Sequence, residues 1–333
     1  MVTSLADESA LLAELRSLSD QGRHRDVLER LQQLPLASLE GRTAFALIAA
    51  EAHGRLGAYD EARRWTELAL VVARSRGERQ AELRARNFEG AIAIRRGAVD
   101  EAERHFADAL ELAGGTQDHA MQARCLNNFG IIAFLRGDPQ AALASYQLAL
   151  AAYQQAGLGR GMAETQHNIG ISWRELRDHR RALEAADQAV RLATQLKDDS
   201  LVGLALTGRA EIHLAMNDGA LAAAELERAA AAYQRVQVRA GLVEVWRLQA
   251  GVARTRGDLA EALRLLRQAA ALAKQQGTAE TLSQVERDLG TVLEARGDRA
   301  GARAAWQRAL AIYQRLGAKK AAQEIAALIG KRP

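Results

Sequence analysis

A spacing of forty residues runs through this chain and limits what it can fold into more than any other feature. The clearest copy is 126–142, LNNFGIIAFLRGDPQAA. Aligned on the glycine of its RGD turn, the register reads Gly57, Gly97, Gly137, Arg177, Asn217, Gly257 and Gly297, and Gly22 stands thirty-five residues before Gly57. Five residues past the turns come Ala62, Ala102, Ala142, Ala182, Ala222, Ala262 and Ala302, and seven further on Ala69, Ala109, Ala149, Ala189, Ala229, Ala269 and Ala309. Seven residues before the turns lies a third small column: Ala50, Gly90, Gly130, Gly170, Ala210, Ala250 and Gly290. Small residues in columns let helices approach closely where a large side chain would hold them apart. Self-similarity at this period marks a stacked array of supersecondary units, and the period alone fits helical repeats and propeller blades alike.

Residue types separate the two. No unit alternates β-branched residues with period two, proline is almost absent, and Ala, Leu, Arg and Glu dominate, as a helical array requires. The small-x(6)-G-D-x(3)-A-x(6)-A pattern resembles the tetratricopeptide repeat, with Gly or Ala in helix A, Gly in the turn and two Ala in helix B. The family's usual repeat is shorter, so the chain resembles its longer subtype, found in kinesin light chains and many bacterial adaptors. Arg177 and Asn217 depart from the turn glycine, and the first unit lacks most signature residues. The resemblance implies an all-α, right-handed α-solenoid of about eight antiparallel helix hairpins plus a C-terminal capping helix. It divides as a capping hairpin over 1–35, seven repeats over 36–317, and a basic capping helix and tail over 318–333, all in one continuous domain.

An apolar fraction of 48% with only 4% aromatics implies a thin core of Ala and Leu spread along the array. Cys125 shares a column with Ala85, Thr165, Ala205 and Val245 and is expected as a small buried residue; a single cysteine forms no disulfide within the chain. The start, MVTSLADESALLAEL, has acids where a signal peptide carries basic residues, and no run of eighteen apolar residues occurs, so a cytoplasmic protein without a membrane span is expected. The net charge of +4 is local. Residues 298–333 hold eight Lys or Arg against two acids, net +6, which leaves −2 for the rest. Specific nucleic-acid binding along the array is therefore not expected, and the basic end should give at most weak, salt-sensitive contact with polyanions.

Along the chain, Leu11, Leu12, Leu15 and Leu18 predict a first amphipathic helix, with a turn at Gly22 and an end at Pro35. From about residue 36 each unit has a helix A before the turn and a helix B after it. Asp138, Asp178, Asp218, Asp258 and Asp298 stand where a carboxylate caps helix B, and Pro139 fits a first helical position. Tyr153, Tyr233 and Tyr313 recur every eighty residues and are expected to pack between hairpins. In the tail, Ala322, Ile325, Ala326 and Ile329 share one side and predict a helix covering the last repeat.

Catalytic chemistry is missing from the pattern. The glycines of 157–161 precede a helix, but no lysine with Ser or Thr follows to make a phosphate loop. The seven histidines scatter over separate units with no metal-binding spacing, and no nucleophile motif occurs. A non-enzymatic protein with no cofactor and no metal is expected.

The resemblance places a ligand in the concave groove lined by the A helices, on columns thirteen, ten, six, three and two residues before each turn. Over the central units, residues 84–175, these columns and their neighbours give Arg84, Asn87, Ile94, Arg95, Arg124, Asn127, Asn128, Ile131, Phe134, Leu135, His167, Asn168, Ile171 and Arg174. Ile94, Ile131, Phe134, Leu135 and Ile171 should leave an apolar patch, and the four asparagines resemble the ladder with which related arrays hold a peptide main chain. For Asn128 and Asn168 a place between helices is the open alternative, as is core packing for Phe134. The expected role is a scaffold or adaptor that binds a protein or peptide segment. The alternative is a sensory protein that takes a signalling peptide or small ligand and changes its curvature. The terminal repeats are the place for contact with a second copy.

Overall fold

The computed structural model describes residues 5–20, 23–34, 42–115, 118–276, 278–316 and 318–330. Among them lie seventeen α-helices and no strand. They are α1 (Leu5–Asp20), α2 (His24–Gln32), α3 (Thr43–Arg55), α4 (Tyr59–Arg76), α5 (Arg79–Arg95), α6 (Val99–Gly114), α7 (His119–Leu135), α8 (Pro139–Gln155) and α9 (Gly159–Glu175). There follow α10 (His179–Gln195), α11 (Asp199–Ala215), α12 (Gly219–Arg235), α13 (Arg239–Thr255), α14 (Leu259–Gln276), α15 (Ala279–Ala295), α16 (Arg299–Arg315) and α17 (Lys319–Gly330). The chain is an α-solenoid: odd and even helices pair as hairpins, each hairpin packs on the next, and successive A helices also touch. The expected turn at Gly22 and stop at Pro35 lie outside the described residues.

Hairpin geometry is set by a connection of only three residues. At Gly137 the amide of the left-handed residue bonds to the Phe134 carbonyl (2.9 Å), and the Asp138 amide to the Ala133 carbonyl (3.0 Å). This double closure needs φ > 0 at its first residue. Asp138 then turns from closing helix A to capping helix B, accepting the Ala141 amide at 2.9 Å. Asp178, Asp218, Asp258 and Asp298 do the same in their units. Asp118 and Asp198 cap A helices in this way, a role the turn register did not bring out. Among the described residues the left-handed residue recurs at a spacing of twenty, because Gly77, Gly157, Lys197 and Gln237 close B helices as Gly57, Gly97, Gly137, Arg177, Asn217, Gly257 and Gly297 close A helices.

The third small column and helix B are matched in size. Sixteen residues after Gly90, Gly130 and Gly290 stand Phe106, Tyr146 and Trp306, whose rings occupy the space a Cβ would need. Where the column holds Ala210 or Ala250, the same register holds Leu226 or Leu266 in the same buried clusters. Gly170 faces Ala186 instead, and there the helices approach so closely that a Cβ would lie 3.3 Å from the Ala182 carbonyl oxygen. Cys125 is buried, and burial pushes its thiol up to about 12. Tyr153, Tyr233 and Tyr313 are buried; Tyr153 lies over Gly161, and Tyr233 over both Gly203 and Gly241. In α17, Ile325 is buried and Ala321, Ala322 and Ile329 pack with it against the last repeat, whereas Ala326 faces solvent, because the buried face runs through 318, 322, 325 and 329.

Two predictions follow from these turns and knobs. Gly130→Ala should cost about 1–3 kcal/mol by driving a methyl into Tyr146, and Tyr146→Leu in the same chain should recover part of it, a coupling of at least about 0.5 kcal/mol in urea unfolding. Strict additivity of the two changes would contradict the size matching. Separately, Arg177, Lys197 and Gln237 hold φ of 59°, 53° and 56°, where an L side chain costs about 1–2 kcal/mol. Each change to Gly should therefore raise the urea midpoint, by about 0.5–1 kcal/mol after the entropy lost with glycine is set against it.

Candidate functional site

The A helices line the groove, and a ladder of contacts at a spacing of forty-one residues joins them. The Asn128 side-chain amide donates to the Asn87 carbonyl oxygen (2.8 Å) and Asn168 to that of Asn127 (3.2 Å); Thr165 adds a second donor to Asn127 (3.1 Å). One unit on, the His167 ring lies where a Cβ of Gly208 would stand. Further along, the Arg247 guanidinium donates to Asp288 (2.9 Å) and also pairs with Glu244. The asparagines thus hold neighbouring helices together while remaining half-buried at the groove surface. Each amide has two N–H groups and two carbonyl lone pairs, so these bonds leave every one of the four with capacity for a ligand.

None of the fourteen residues expected in the groove is buried. Arg84 and Arg124 are exposed on adjacent helices at the same register and make no ion pair among the described residues. Leu135 is 49% exposed, and Ile94, Ile131 and Ile171 are partly so. Phe134 is half-buried: with Ile131 it packs against the cluster of Ala142, Leu143, Tyr146 and Ile169. Arg174, at the end of this region, pairs with Glu211, and further on Arg247 pairs with Glu244 and Asp288, whereas Arg254 is exposed and makes no ion pair among the described residues.

Curvature brings the two ends of the solenoid together. Tyr59, Ala62 and Ile92 form one buried cluster with Ala279 and Leu316, Arg95 pairs with Glu280, and a Cβ on Gly57 would lie 3.3 Å from both Ala279 and Leu316. Beside this contact is a cleft of about 1090 Å³ whose walls come from both ends. Ile94, Arg95, Asn128, Ile131 and Leu135 line it from one side, and Glu280, Gln284, Arg287, Lys319 and Lys320 from the other. Arg84, Asn87, Arg124, Asn127, Phe134, His167, Asn168, Ile171 and Arg174 are not among its lining residues. The far wall is the part of the cleft that column reading missed; of the basic residues counted over 298–333, Lys319 and Lys320 lie in it.

Two histidines near the groove are held neutral. His167 is lowered to about 4 by burial and then by Arg174, and His24 to about 4 by burial and then by Arg55 and Arg95. Above the ordinary histidine value of 6.5 both folded and unfolded chains carry them uncharged, and they do not affect stability. Below it the unfolded chain takes up protons that the fold refuses, so stability falls as pH drops from 6.5 to about 4. His167→Asn, the residue that Asn87 and Asn127 supply in this column, should flatten that slope in urea unfolding measured across pH. An unchanged slope would contradict a neutral His167.

Among the described residues no three His, Cys, Asp or Glu side chains are placed to hold a metal ion, and no helix is long and apolar enough to cross a membrane. Two family models described as tetratricopeptide repeat match residues 82–155 and 287–316. No curated protein matches. Among solved structures, a Rap protein complexed with Competence and Sporulation Factor is similar over 97% of this chain and 96% of its own, at 15% identity and a TM-score of 0.61. The anaphase-promoting-complex hetero-tetramer Cut9–Hcn1 is similar over 95% of this chain and 55% of the other, at 14% identity and a TM-score of 0.60. Aspartyl phosphate phosphatase F from Bacillus subtilis is similar over 99% and 95%, at 13% identity and a TM-score of 0.55. These likenesses concern the fold. Repeat register and hairpin architecture agree with the two family matches, which identify tetratricopeptide repeats over residues 82–155 and 287–316.

Proposed function

We propose that the protein is a non-enzymatic cytoplasmic adaptor that binds a segment of a partner protein in the groove over residues 84–175. The observation that carries this reading is the contrast within the groove. Arg174, Arg247 and their acidic partners are satisfied within the chain, whereas Arg84 and Arg124 flank a row of half-buried asparagines and apolar side chains that the fold leaves facing outward. Cations that can pair, amides that can both donate and accept, and partly exposed Ile and Leu suit an extended polypeptide better than a small substrate. The contact between the two ends supports the second reading, a sensory protein whose curvature responds to the ligand. A similar fold is seen in a complex with Competence and Sporulation Factor and in the Cut9–Hcn1 assembly, so such a solenoid can engage a protein partner.

Selection of displayed random peptides against the whole chain tests the proposal. Peptides that enrich should lose affinity by about 1–3 kcal/mol on Phe134→Ala, the range for an aromatic contact at the centre of an interface. Asn127→Ala should cost about 0.5–1.5 kcal/mol, the value of a hydrogen bond to the peptide main chain. Both variants also lose packing or bonds within the fold, so each is compared at a temperature where circular dichroism shows it folded. Selected peptides that bind both variants and Arg124→Glu as tightly as the unmodified chain would overturn the groove assignment.

A further inference from the structure

We propose that the cleft where the ends of the solenoid meet is a binding site for an acidic peptide segment carrying apolar side chains. This rests on the reading of the groove as a peptide site and gives that site its ligand chemistry. The cleft's floor and walls include Ile94, Ile131 and Leu135 on the helices of the second and third full repeats, α5 and α7. Arg96, from the turn after α5, and Lys319 and Lys320, from the start of α17, line the same cleft and make no ion pair among the described residues. Of the remaining charged groups, Arg95 is neutralised by Glu280 and Arg287 lies 3.0 Å from Asp288, while Glu324 is the other acid in the lining. The cleft therefore offers uncompensated positive charge beside apolar surface, and its complement is a chain that alternates carboxylates with apolar groups.

Two further observations favour this occupant. Lys319 and Lys320 occupy the first turn of α17, where the helix dipole disfavours cations, so helix stability does not account for them. Asn128 reaches the same cleft and can bond a peptide main chain, which a simple polyanion patch would not require. At about 1090 Å³ the space is also larger than a small metabolite needs. Two of the basic residues that make up the excess over 298–333, Lys319 and Lys320, thereby acquire a place at the site. Since the two walls belong to opposite ends of the chain, an occupant that touches both favours the closed arrangement, as any ligand favours the state it binds better.

The test uses the full chain and three short fluorescein-labelled peptides that alternate leucine with glutamate, glutamine or lysine, followed by fluorescence anisotropy. The glutamate peptide should bind at least about tenfold more tightly than the glutamine peptide, and the lysine peptide more weakly than either. Lys319→Glu with Lys320→Glu, both on an exposed surface, should reduce binding of the glutamate peptide about tenfold or more, and Leu135→Asp should do the same. Equal binding of the glutamate and glutamine peptides, or indifference to these changes, overturns the proposal. Heparin binding of equal strength together with indifference to Leu135→Asp also overturns it, because the basic end would then be a polyelectrolyte patch. If the glutamate peptide is lost on Arg124→Glu but kept by the Lys319→Glu, Lys320→Glu chain, the cleft proposal falls and the groove reading stands. If none of the peptides binds while display selection still finds groove ligands, the acidic specificity alone falls.

Discussion

Everything in this molecule hangs on a left-handed residue that recurs at a spacing of twenty among the described residues and lets one helix end and the next begin within three residues. The double carbonyl closure at these residues removes two unpaired groups from the end of a helix, and where an aspartate follows, as after Gly137, Arg177, Lys197, Asn217, Gly257 and Gly297, it removes one from the start of the next. So short a connection leaves little freedom for the crossing angle. Stacking repeats with small columns at fixed offsets then adds the same small rotation at every step. Over eight hairpins these rotations bring Tyr59 and Ile92 against Ala279 and Leu316, a contact that no neighbouring-repeat argument contains.

The forty-residue register was legible because glycine and alanine mark it directly. The hairpins, the five aspartate caps of the B helices, the buried cysteine and the terminal helix all follow from residue type and spacing. The twenty-residue register was less visible, since Lys197 and Gln237 hold the left-handed conformation without the signature of glycine. The groove columns located the half-buried asparagines, but not the bonds that link Asn87 to Asn128 and Asn127 to Asn168. Those pairs join positions that differ by one place in the repeat, so a comparison of like positions passes over them. Least legible was the meeting of the ends. Leu196, Val236 and Leu316 occupy the same repeat position, yet the first two are 45% and 37% exposed and the third 3%. The difference lies in which hairpin arrives opposite, a sum over the whole solenoid that no local pattern records.

The functional reading follows from the same economy of contacts. At the far end of the groove the ladder between A helices is made by Arg247 and Asp288, and at the centre it is made of amides that keep spare donors and acceptors. Arg84 and Arg124 sit beside those amides without an acidic neighbour in bonding range among the described residues. A groove that stabilises itself at one end and leaves polar and apolar groups open at its centre suits a polypeptide ligand. The meeting of the ends changes the topology of that groove, because it gives the central wall an opposite wall drawn from the last hairpin and the cap. Curvature is then part of the site.

The account therefore depends most on the ends meeting in solution. Spin labels on Arg96→Cys and Gln284→Cys, with the buried Cys125 replaced by the Ala found at the same repeat position in Ala85 and Ala205, measure this by pulsed dipolar spectroscopy. The closed solenoid predicts one narrow distribution at short distance. That distribution should broaden and lengthen when Leu316→Asp removes the apolar contact with Tyr59 and Ile92. A broad, long distribution in the chain with Leu316 intact, or one indifferent to Leu316→Asp, would contradict the closure.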